Sequence, residues 1–284
     1  MAMLLKGAPV AAHLSEKLEA RAKALLEKGV NPCLAIVRMG EKAGDLAYEH
    51  AAVSRCARLG IAVRIEALSE SAEQSELLEA IKKINTDSSI HGCIIMRPLP
   101  AHIDEDYVCE ALAPEKDVDC VTSQSLSRVF SGHGDGFYPC TAQACIEMLD
   151  YYGYDLSGAR ISVIGRSLVV GRPLSIMLQD RDATVTMCHS KTRNLYKACR
   201  NKEILIVAAG SPGVVRETFV NPEQTIIDVG INDDGMGGIT GDVCFDRIEP
   251  LVAAITPVPG GVGSVTATIL AEHVISAAER KHNI

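Results

Sequence analysis

Residues 161–173 read ISVIGRSLVVGRP: a short apolar run, a glycine, and then a segment that continues into a helical pattern. A strand that turns at a glycine into a helix is typical of dinucleotide-binding sheets, where backbone N–H groups and the positive end of a helix face a pyrophosphate. The stretch is not Gly-x-Gly-x-x-Gly, so it departs from the usual fingerprint. We interpret it as a phosphate-binding turn. From spacing alone, a plain strand-to-helix turn remains the alternative.

The second half of the chain continues this alternation. Further apolar runs at 184–187, 204–208 and 225–229 predict three more strands, with segments of helical pattern between them. Strands that alternate with helices form parallel sheets. We therefore predict a Rossmann-type parallel sheet in this half.

The first half shows the same pattern. Apolar residues at helical spacing predict a helix over 11–28, and apolar runs at 34–37, 61–65 and 93–96 predict the strands of a second parallel sheet. A patch at 131–137 that contains glycine and serine reads as the crossover between two lobes. The sequence thus predicts the α/β class with two lobes.

Chain length supports two domains, because single hydrophobic cores seldom grow beyond about 250 residues and this chain has 284. We place the boundary near residue 139. The helical pattern at the C-terminal end could return to the first lobe. The predicted domains are therefore 1–139 with 265–284, and 140–264.

Composition excludes several classes of protein. The formal net charge is −8, which argues against a nucleic-acid partner. No apolar run approaches the roughly 20 residues that span a bilayer, and the first residues lack a signal-peptide pattern, so we expect a soluble cytoplasmic protein. The ten cysteines include no Cys-x-x-Cys pair, and Cys188 and His189 should point to opposite faces of a strand. We therefore expect reduced cysteines and no metal site.

The residues near the predicted phosphate turn indicate which dinucleotide would bind. Arg166 directly follows the turn glycine, and Ser190 and Lys191 follow the next strand, where an acidic residue would favour NAD by binding the ribose hydroxyls. These basic and hydroxyl side chains could instead bond a 2′-phosphate, so we predict NADP. The predicted cofactor-binding residues are Gly165, Arg166, Ser167, Gly171, Ser190, Gly210 and Ile231.

A second loop also suggests ligand contact. Residues 256–263 read TPVPGGVG. Prolines fix φ and glycines lack Cβ, so this backbone can hold its shape while passing close to a flat ligand. An ordinary surface turn is the alternative.

Six motifs together resemble those of a known family. They are RPLP at 97–100, KDVD at 116–119, YPCT at 138–141, GRS with VGRP in 165–173, DVGIN at 228–232 and TPVPGGVG at 256–263. In this order they are similar to the bifunctional methylenetetrahydrofolate dehydrogenase/methenyltetrahydrofolate cyclohydrolase (FolD) family of one-carbon metabolism, over nearly the whole chain. The resemblance implies an N-terminal folate-binding lobe, a C-terminal NADP-binding Rossmann lobe, a folate cleft between them, and a homodimer.

The resemblance also implies roles for individual residues. Tyr48 matches the aromatic residue that stacks on the folate, and Asp119 matches the acid that bonds the pterin. Pro259, Gly260 and Gly263 match the loop that wraps the same ligand. Without the resemblance, Tyr48 could be a half-buried helix residue and Asp119 a turn residue.

Four positions depart from the family pattern, and the resemblance places all four in or beside the folate cleft. Ala52 stands one helical turn after Tyr48, where the family has a lysine, and Met96 stands where the family has a glutamine. Asp45 replaces a serine, and Cys120 replaces a glycine. The cofactor motifs are nearly intact by comparison.

These departures shape the expected function. We expect an NADP-dependent methylenetetrahydrofolate dehydrogenase whose cyclohydrolase activity is lost or weak. One alternative is a bifunctional enzyme that uses Asp45, His50 or Arg97 instead, although helix geometry turns His50 away from Tyr48 and strand alternation turns Arg97 away from Met96. A second alternative is a folate- or dinucleotide-binding paralogue without catalysis.

Overall fold

The computed structural model of the chain describes residues 1–133 and 136–284. Two residues of the predicted crossover patch, Gly134 and Asp135, lie outside the described residues. The chain divides into two compact units. We call Met1–Ala12 with Thr141–Thr266 the six-stranded unit, and His13–Cys140 with Ala267–Ile284 the three-stranded unit, after their main sheets.

The helices and strands are numbered in chain order. The strands are β1 (Met3–Leu4), β2 (Cys33–Met39), β3 (Ala62–Leu68), β4 (Gly92–Ile95), β5 (Arg160–Ile164), β6 (Thr184–Cys188), β7 (Ile204–Val207), β8 (Thr225–Asp228), β9 (Asn232–Asp233), β10 (Ile239–Thr240) and β11 (Ala254–Ile255). The α-helices are α1 (Gly7–Glu27), α2 (Ala43–Arg58), α3 (Gln74–Thr86), α4 (Glu105–Glu110), α5 (Ser123–Ser131), α6 (Cys140–Tyr151), α7 (Gly171–Gln179), α8 (Leu195–Arg200), α9 (Phe245–Ile248) and α10 (Gly263–His282).

The three-stranded unit is built around a parallel sheet in the order β3-β2-β4. Strand β2 is almost entirely apolar and buried, as a central strand covered on both faces must be. Its core partners include Leu77, Ile81 and Ile84, which recur at helical spacing on one face of α3. Strand β3 forms one edge, and most of its side chains are exposed.

The six-stranded unit contains a wholly parallel sheet in the order β1-β11-β8-β7-β5-β6. Strand β5 lies between β6 and β7, so the chain leaves β5 first to one side and then to the other. Ligands of open α/β sheets bind at such a switch point, at the carboxyl ends of the strands. The loops that follow β5 and β7 are therefore the expected binding loops.

The division of the chain differs from the predicted one at the N-terminus. Residues Met1–Ala12 belong to the six-stranded unit because β1 pairs in parallel with β11, and Leu5 N donates to Ile255 O at 2.9 Å. The sequence analysis assigned this segment to the first domain, since two-residue strands have no detectable periodicity. At the other end, Ala267–Ile284 belong to the three-stranded unit.

Candidate functional site

Tyr48 and Ala52 lie one turn apart on α2. Tyr48 is half-buried as a residue, but its hydroxyl group is enclosed, and burial raises the pKa of this hydroxyl well above its ordinary range. The Asp119 carboxyl is the next cause of the shift, so the two side chains lie within electrostatic reach of each other. The structure thus brings Tyr48 and Asp119 together, with the buried methyl group of Ala52 one turn further along.

The turn that presents Asp119 is organised by its neighbour Asp117. Asp117 is fully buried, and its carboxylate accepts hydrogen bonds from Val121 N (2.9 Å), Thr122 N (2.9 Å) and Thr122 Oγ1 (2.8 Å). Of the two acids in the motif, Asp117 therefore builds the turn, whereas Asp119 takes no part in these three bonds. Spacing could not separate these roles, because both carboxylates lie in the same four residues.

Asp119 itself is half-buried, and its Oδ1 accepts a hydrogen bond from Cys140 N at 3.2 Å. Burial raises the pKa of its carboxyl, while hydrogen bonding from Cys140 and the charge of Arg97 act in the opposite direction. Arg97 was predicted to point away from Met96. It stands two residues after the end of β4, and its positive charge acts on Asp119.

A buried histidine supports the same turn from behind. His273, on α10, donates from Nδ1 to the carbonyl oxygen of Val118 at 2.8 Å, and the same nitrogen lies 3.6 Å from Cys140 Sγ. Phe137 stacks on its ring, with the ring centroids 4.6 Å apart. Burial lowers the pKa of His273 to about 4, so the ring is neutral near pH 7. The hydrogen bonds of Asp117 and of His273 thus hold the segment beside Asp119 from two sides. No sequence motif pointed to this histidine.

The two main departures from the family pattern both lie in closely packed surroundings. Ala52 is 0% exposed and Met96 is 7% exposed. Met96 N donates to Val37 O at 2.8 Å, which extends the β4 pairing by one residue. Neither side chain can donate or accept a proton.

The remaining departures differ in their surroundings. Asp45 is half-buried in the first turn of α2, whereas His50 is exposed on the same helix. Cys120 is buried and has φ of 58°, a left-handed conformation that favours glycine. A glycine at this position in the family is consistent with that backbone.

In the six-stranded unit, the turn after β5 packs as closely as a phosphate-binding turn requires. Gly165 has φ of 133°, and a Cβ added there would collide with the carbonyl group of Ala208. A Cβ on Gly171 would collide with the carbonyl group of Gly165. Only glycine fits at either position, because neighbouring backbone fills the space that a Cβ would need.

The start of α7 offers fewer N–H donors than the sequence analysis assumed. Arg172 N is bonded to Ser167 O at 3.0 Å, and Pro173 has no N–H group. Ser167 Oγ also accepts from Val170 N at 3.1 Å. Any phosphate contact at this point therefore depends more on the exposed residues 166–169 than on the helix N-terminus.

The predicted 2′-phosphate residues follow neighbouring strands. Gly165 N donates to Cys188 O at 2.9 Å, so the turns after β5 and β6 begin side by side. Arg166, Ser190 and Lys191 are all exposed at this sheet edge. The residues present therefore fit a dinucleotide that carries an additional phosphate, and Arg166 and Ser190 are the side chains that would hold it.

A buried pair of acids joins the loops at the other predicted cofactor positions. Asp242 Oδ2 accepts from Ala209 N (2.6 Å) and Gly210 N (2.9 Å), and its Oδ1 accepts from Ser211 N (2.8 Å) and Asn232 Nδ2 (2.9 Å). Ile231, directly before Asn232 in the chain, is 64% exposed. The sequence analysis named Gly210 and Ile231 but missed the acid that holds the backbone around them.

Asp228 is the second acid of the pair. Its Oδ1 accepts from Gly230 N (3.0 Å) and Asp242 N (3.1 Å), and its Oδ2 accepts from Val243 N (3.0 Å). Its own N–H donates to Thr256 Oγ1 at 2.7 Å. Burial raises the pKa of the Asp228 carboxyl to about 6, and the charge of Asp242 contributes in the same direction.

The Thr256 hydrogen bond anchors the start of the 256–263 loop. Beyond it, Gly260 O accepts from Gly7 N at 2.8 Å, so the loop is also tied to the start of α1. Pro259, Gly260 and Gly263 are exposed on this anchored backbone. The loop is held at its start and again at Gly260, and it presents the three residues that were predicted to contact a ligand.

Two searches of the described residues gave negative results. Within 1–133 and 136–284, no three His, Cys, Asp or Glu side chains are grouped so that they could hold a metal ion. Over the same described residues, no helix has both the length and the apolar character needed to cross a bilayer.

Comparison with known proteins identifies the family. Residues 5–119 match the model described as tetrahydrofolate dehydrogenase/cyclohydrolase, catalytic domain, and residues 139–282 match the model of the NAD(P)-binding domain of the same family. Bifunctional protein FolD of Clostridioides difficile is 43% identical over 280 residues, which cover 99% of this chain and 98% of the relative.

Solved structures agree with these matches. Bifunctional FolD from Campylobacter jejuni has a TM-score of 0.95 at 36% identity, covering 99% of this chain and 100% of the other. FolD from Trypanosoma brucei, complexed with NADP cofactor and inhibitor, has a TM-score of 0.94 at 32% identity, covering 100% of this chain and 99% of the other. The predicted α/β class and dinucleotide-binding domain are confirmed, and the chain belongs to the tetrahydrofolate dehydrogenase/cyclohydrolase family.

Proposed function

We propose that this enzyme oxidises 5,10-methylenetetrahydrofolate to 5,10-methenyltetrahydrofolate with NADP, and that its cyclohydrolase step is lost or weak. The observation that carries the proposal is the burial of two apolar side chains, Ala52 and Met96, where the family places a lysine and a glutamine. The three-stranded unit would bind folate, and the six-stranded unit would bind the dinucleotide.

The dehydrogenase step needs orientation more than proton transfer. NADP supplies the hydride acceptor when it is bound, and the folate nitrogen stabilises the cation that remains. Holding two reactants in line can contribute roughly 7 to 11 kcal/mol. In this proposal Tyr48 stacks on the folate, Asp119 bonds the pterin, and Pro259, Gly260 and Gly263 enclose the same ligand. None of these roles requires a lysine.

The hydrolysis step has different requirements. Water must attack the methenyl carbon, and protons must move to and from the tetrahedral adduct. A positioned acid or base typically contributes about 10² to 10⁴ in rate. The methyl group of Ala52 and the thioether of Met96 supply neither function, so hydrolysis suffers more than hydride transfer.

The choice of NADP rests on side chains after β5 and β6. Arg166, Ser190 and Lys191 are exposed at one sheet edge, where they could bond a 2′-phosphate. The family model covers NAD and NADP alike. A direct test compares the dissociation constants of NADPH and NADH for wild-type protein and Arg166→Gln. The proposal requires tighter NADPH binding that falls selectively in the variant.

The central experiment follows both steps in one reaction. Purified enzyme is mixed with NADP and 5,10-methylenetetrahydrofolate, and NADPH and the methenyl product are measured separately, with uncatalysed hydrolysis subtracted. Equal accumulation of the two supports a dehydrogenase without hydrolase. NADPH with little methenyl product would contradict the proposal. If neither product formed, the non-catalytic binding paralogue would replace it.

A bifunctional enzyme that uses a substitute residue is the second candidate. The charge of Arg97 acts on Asp119, so a cation is present in this region although the family lysine is not. The exposed position of His50 gives that residue no comparable support. If hydrolysis is observed, Arg97→Leu should abolish it while His50→Leu leaves it unchanged.

We further propose that the protein is a homodimer in the cytoplasm. Strand β3 is an edge strand, and its Ile65 is 45% exposed. Edge strands offer unpaired backbone groups that readily pair with another chain. Analytical ultracentrifugation should show a dimer for wild-type protein and for Leu26→Lys, an exposed control, and a monomer for Ile65→Lys. A wild-type monomer would refute the dimer.

A further inference from the structure

The turn after β7 contains three successive backbone N–H groups that point to one carboxylate. Ala209 N and Gly210 N bond to Asp242 Oδ2 at 2.6 and 2.9 Å, and Ser211 N bonds to Oδ1 at 2.8 Å. Converging N–H groups of this kind often bind a ligand anion. Here a side chain of the protein already occupies them, and that side chain is 0% exposed.

The same carboxylate also fixes the segment after β8. Asn232 Nδ2 donates to Asp242 Oδ1 at 2.9 Å. Gly230 packs directly against Asp242, and a Cβ at Gly230 would collide with that carboxyl group. Asp242 therefore links two loops, 209–211 and 230–232, that follow neighbouring strands at the carboxyl edge of the sheet.

We propose that Asp242 is a positioning residue of the dinucleotide site: its carboxylate fixes the backbone at Gly210 and Ile231 so that both meet the cofactor in one geometry. The inference rests on the proposed assignment of these two residues to the cofactor site. The same hydrogen bonds also bear on where the pyrophosphate binds. Because the N–H groups of 209–211 are occupied, this turn has no free N–H for the pyrophosphate, which favours residues 165–169 as its binding segment.

Because Asp242 is buried, replacing it should have a large effect on the backbone of residues 209–211. A hydrogen bond to a carboxylate is stronger than one between neutral groups, and a buried donor left unpaired carries its own cost. Asp242→Asn keeps the size of the side chain but replaces one acceptor oxygen with an NH₂ group. That NH₂ group would face N–H donors, so the turn would lose at least one of its three bonds.

The first test measures the ligand-free protein and its binding of NADPH, and needs no turnover. In Asp242→Asn, amide hydrogen exchange at Gly210 and Ser211 should accelerate at least tenfold, and the dissociation constant for NADPH, from fluorescence titration, should rise at least tenfold. In steady-state assays the KM for NADP should rise more than kcat falls. Asp246→Asn, an exposed acid nearby on α9, is the matched control and should change none of these values.

If Asp242→Asn does not fold, a second variant tests the positioning role of Asp242. Asn232→Ala removes one bond to the carboxylate and leaves the three backbone bonds in place, so the dissociation constant for NADPH should rise two- to fivefold. An unchanged dissociation constant in the folded variants would overturn the proposal, as would unchanged amide exchange. Wild-type protein that bound neither NADPH nor NADH would overturn it together with the cofactor assignment, whereas measured cyclohydrolase activity would leave it standing.

Discussion

Replacing Asp228 by asparagine should change how stability depends on pH. Burial raises the pKa of this carboxyl from 3.8 to about 6 in the folded protein. A group whose folded-state pKa is raised stabilises the fold below its unfolded-state pKa, and this contribution is lost as pH rises through the folded-state pKa. Asparagine cannot ionise. The stability of wild-type protein relative to Asp228→Asn should therefore fall between about pH 4 and about pH 7.

The magnitude follows from the shift. A change of about two pKa units, at roughly 1.4 kcal/mol each, corresponds to about 3 kcal/mol. Of this, roughly 2 kcal/mol should be lost between about pH 4.5 and about pH 7.5, because the unfolded-state carboxyl is already mostly ionised at the lower value. Asp228 is 3% exposed, so solvent screening reduces this figure little.

Urea unfolding at a series of pH values, followed by circular dichroism, provides the assay. Only the difference between wild type and variant is diagnostic, because burial lowers the pKa of His91 and of His273 to about 4. Those two histidines contribute stability above their ordinary pKa and lose it as pH falls, which is the opposite trend. A difference that stays constant or grows with rising pH would refute the reasoning.

Three further predictions concern other parts of the molecule. Gly165→Ala should weaken NADPH binding at least tenfold in a fluorescence titration, because the added Cβ would collide with the Ala208 carbonyl group. The control is Gly235→Ala, at a glycine with φ of 75° in open space. It should lower the free energy of unfolding in urea by only about 1 kcal/mol and leave NADPH binding intact. The double variant Ala52→Lys, Met96→Gln should raise the rate of methenyl hydrolysis about 10²- to 10⁴-fold, measured by loss of methenyl absorbance. The control, Ala51→Lys on the exposed face of α2, should leave this rate unchanged. A double variant that is folded but still does not hydrolyse the methenyl compound would contradict the proposed cause. His273→Ala should raise the KM for folate with little change in the KM for NADP, because it loosens Val118 beside Asp119; equal changes in both constants would indicate general destabilisation instead.

The regular parts of the fold could be predicted because their signals are local. The apolar run at 34–37 and the helical spacing over 11–28 each lie within one stretch of sequence, and the structure contains β2 and α1 at these places. The pairing of β1 with β11 has no such signal. Each of these strands has two residues, and about 250 positions separate them.

The candidate site was less predictable, because its supporting groups act through the backbone. Asp242 bonds to N–H groups about 30 positions earlier in the chain, and nothing in its sequence neighbourhood marks it as buried. His273 acts on the carbonyl group of Val118 in the same way. Sequence reasoning named exposed candidate residues such as Arg166 and Ser190, and it missed the buried groups that hold the backbone around the candidate positions.

The pairing of β1 with β11 also has a consequence for synthesis of the chain. Residues Met3 and Leu4 are translated about 250 residues before their partners Ala254 and Ile255. At about 5 to 20 residues per second, the N-terminal strand waits roughly 12 to 50 seconds for its neighbour. The six-stranded unit therefore completes its sheet only after Ile255 has been made, and a nascent chain arrested before residue 254 would leave β1 unpaired.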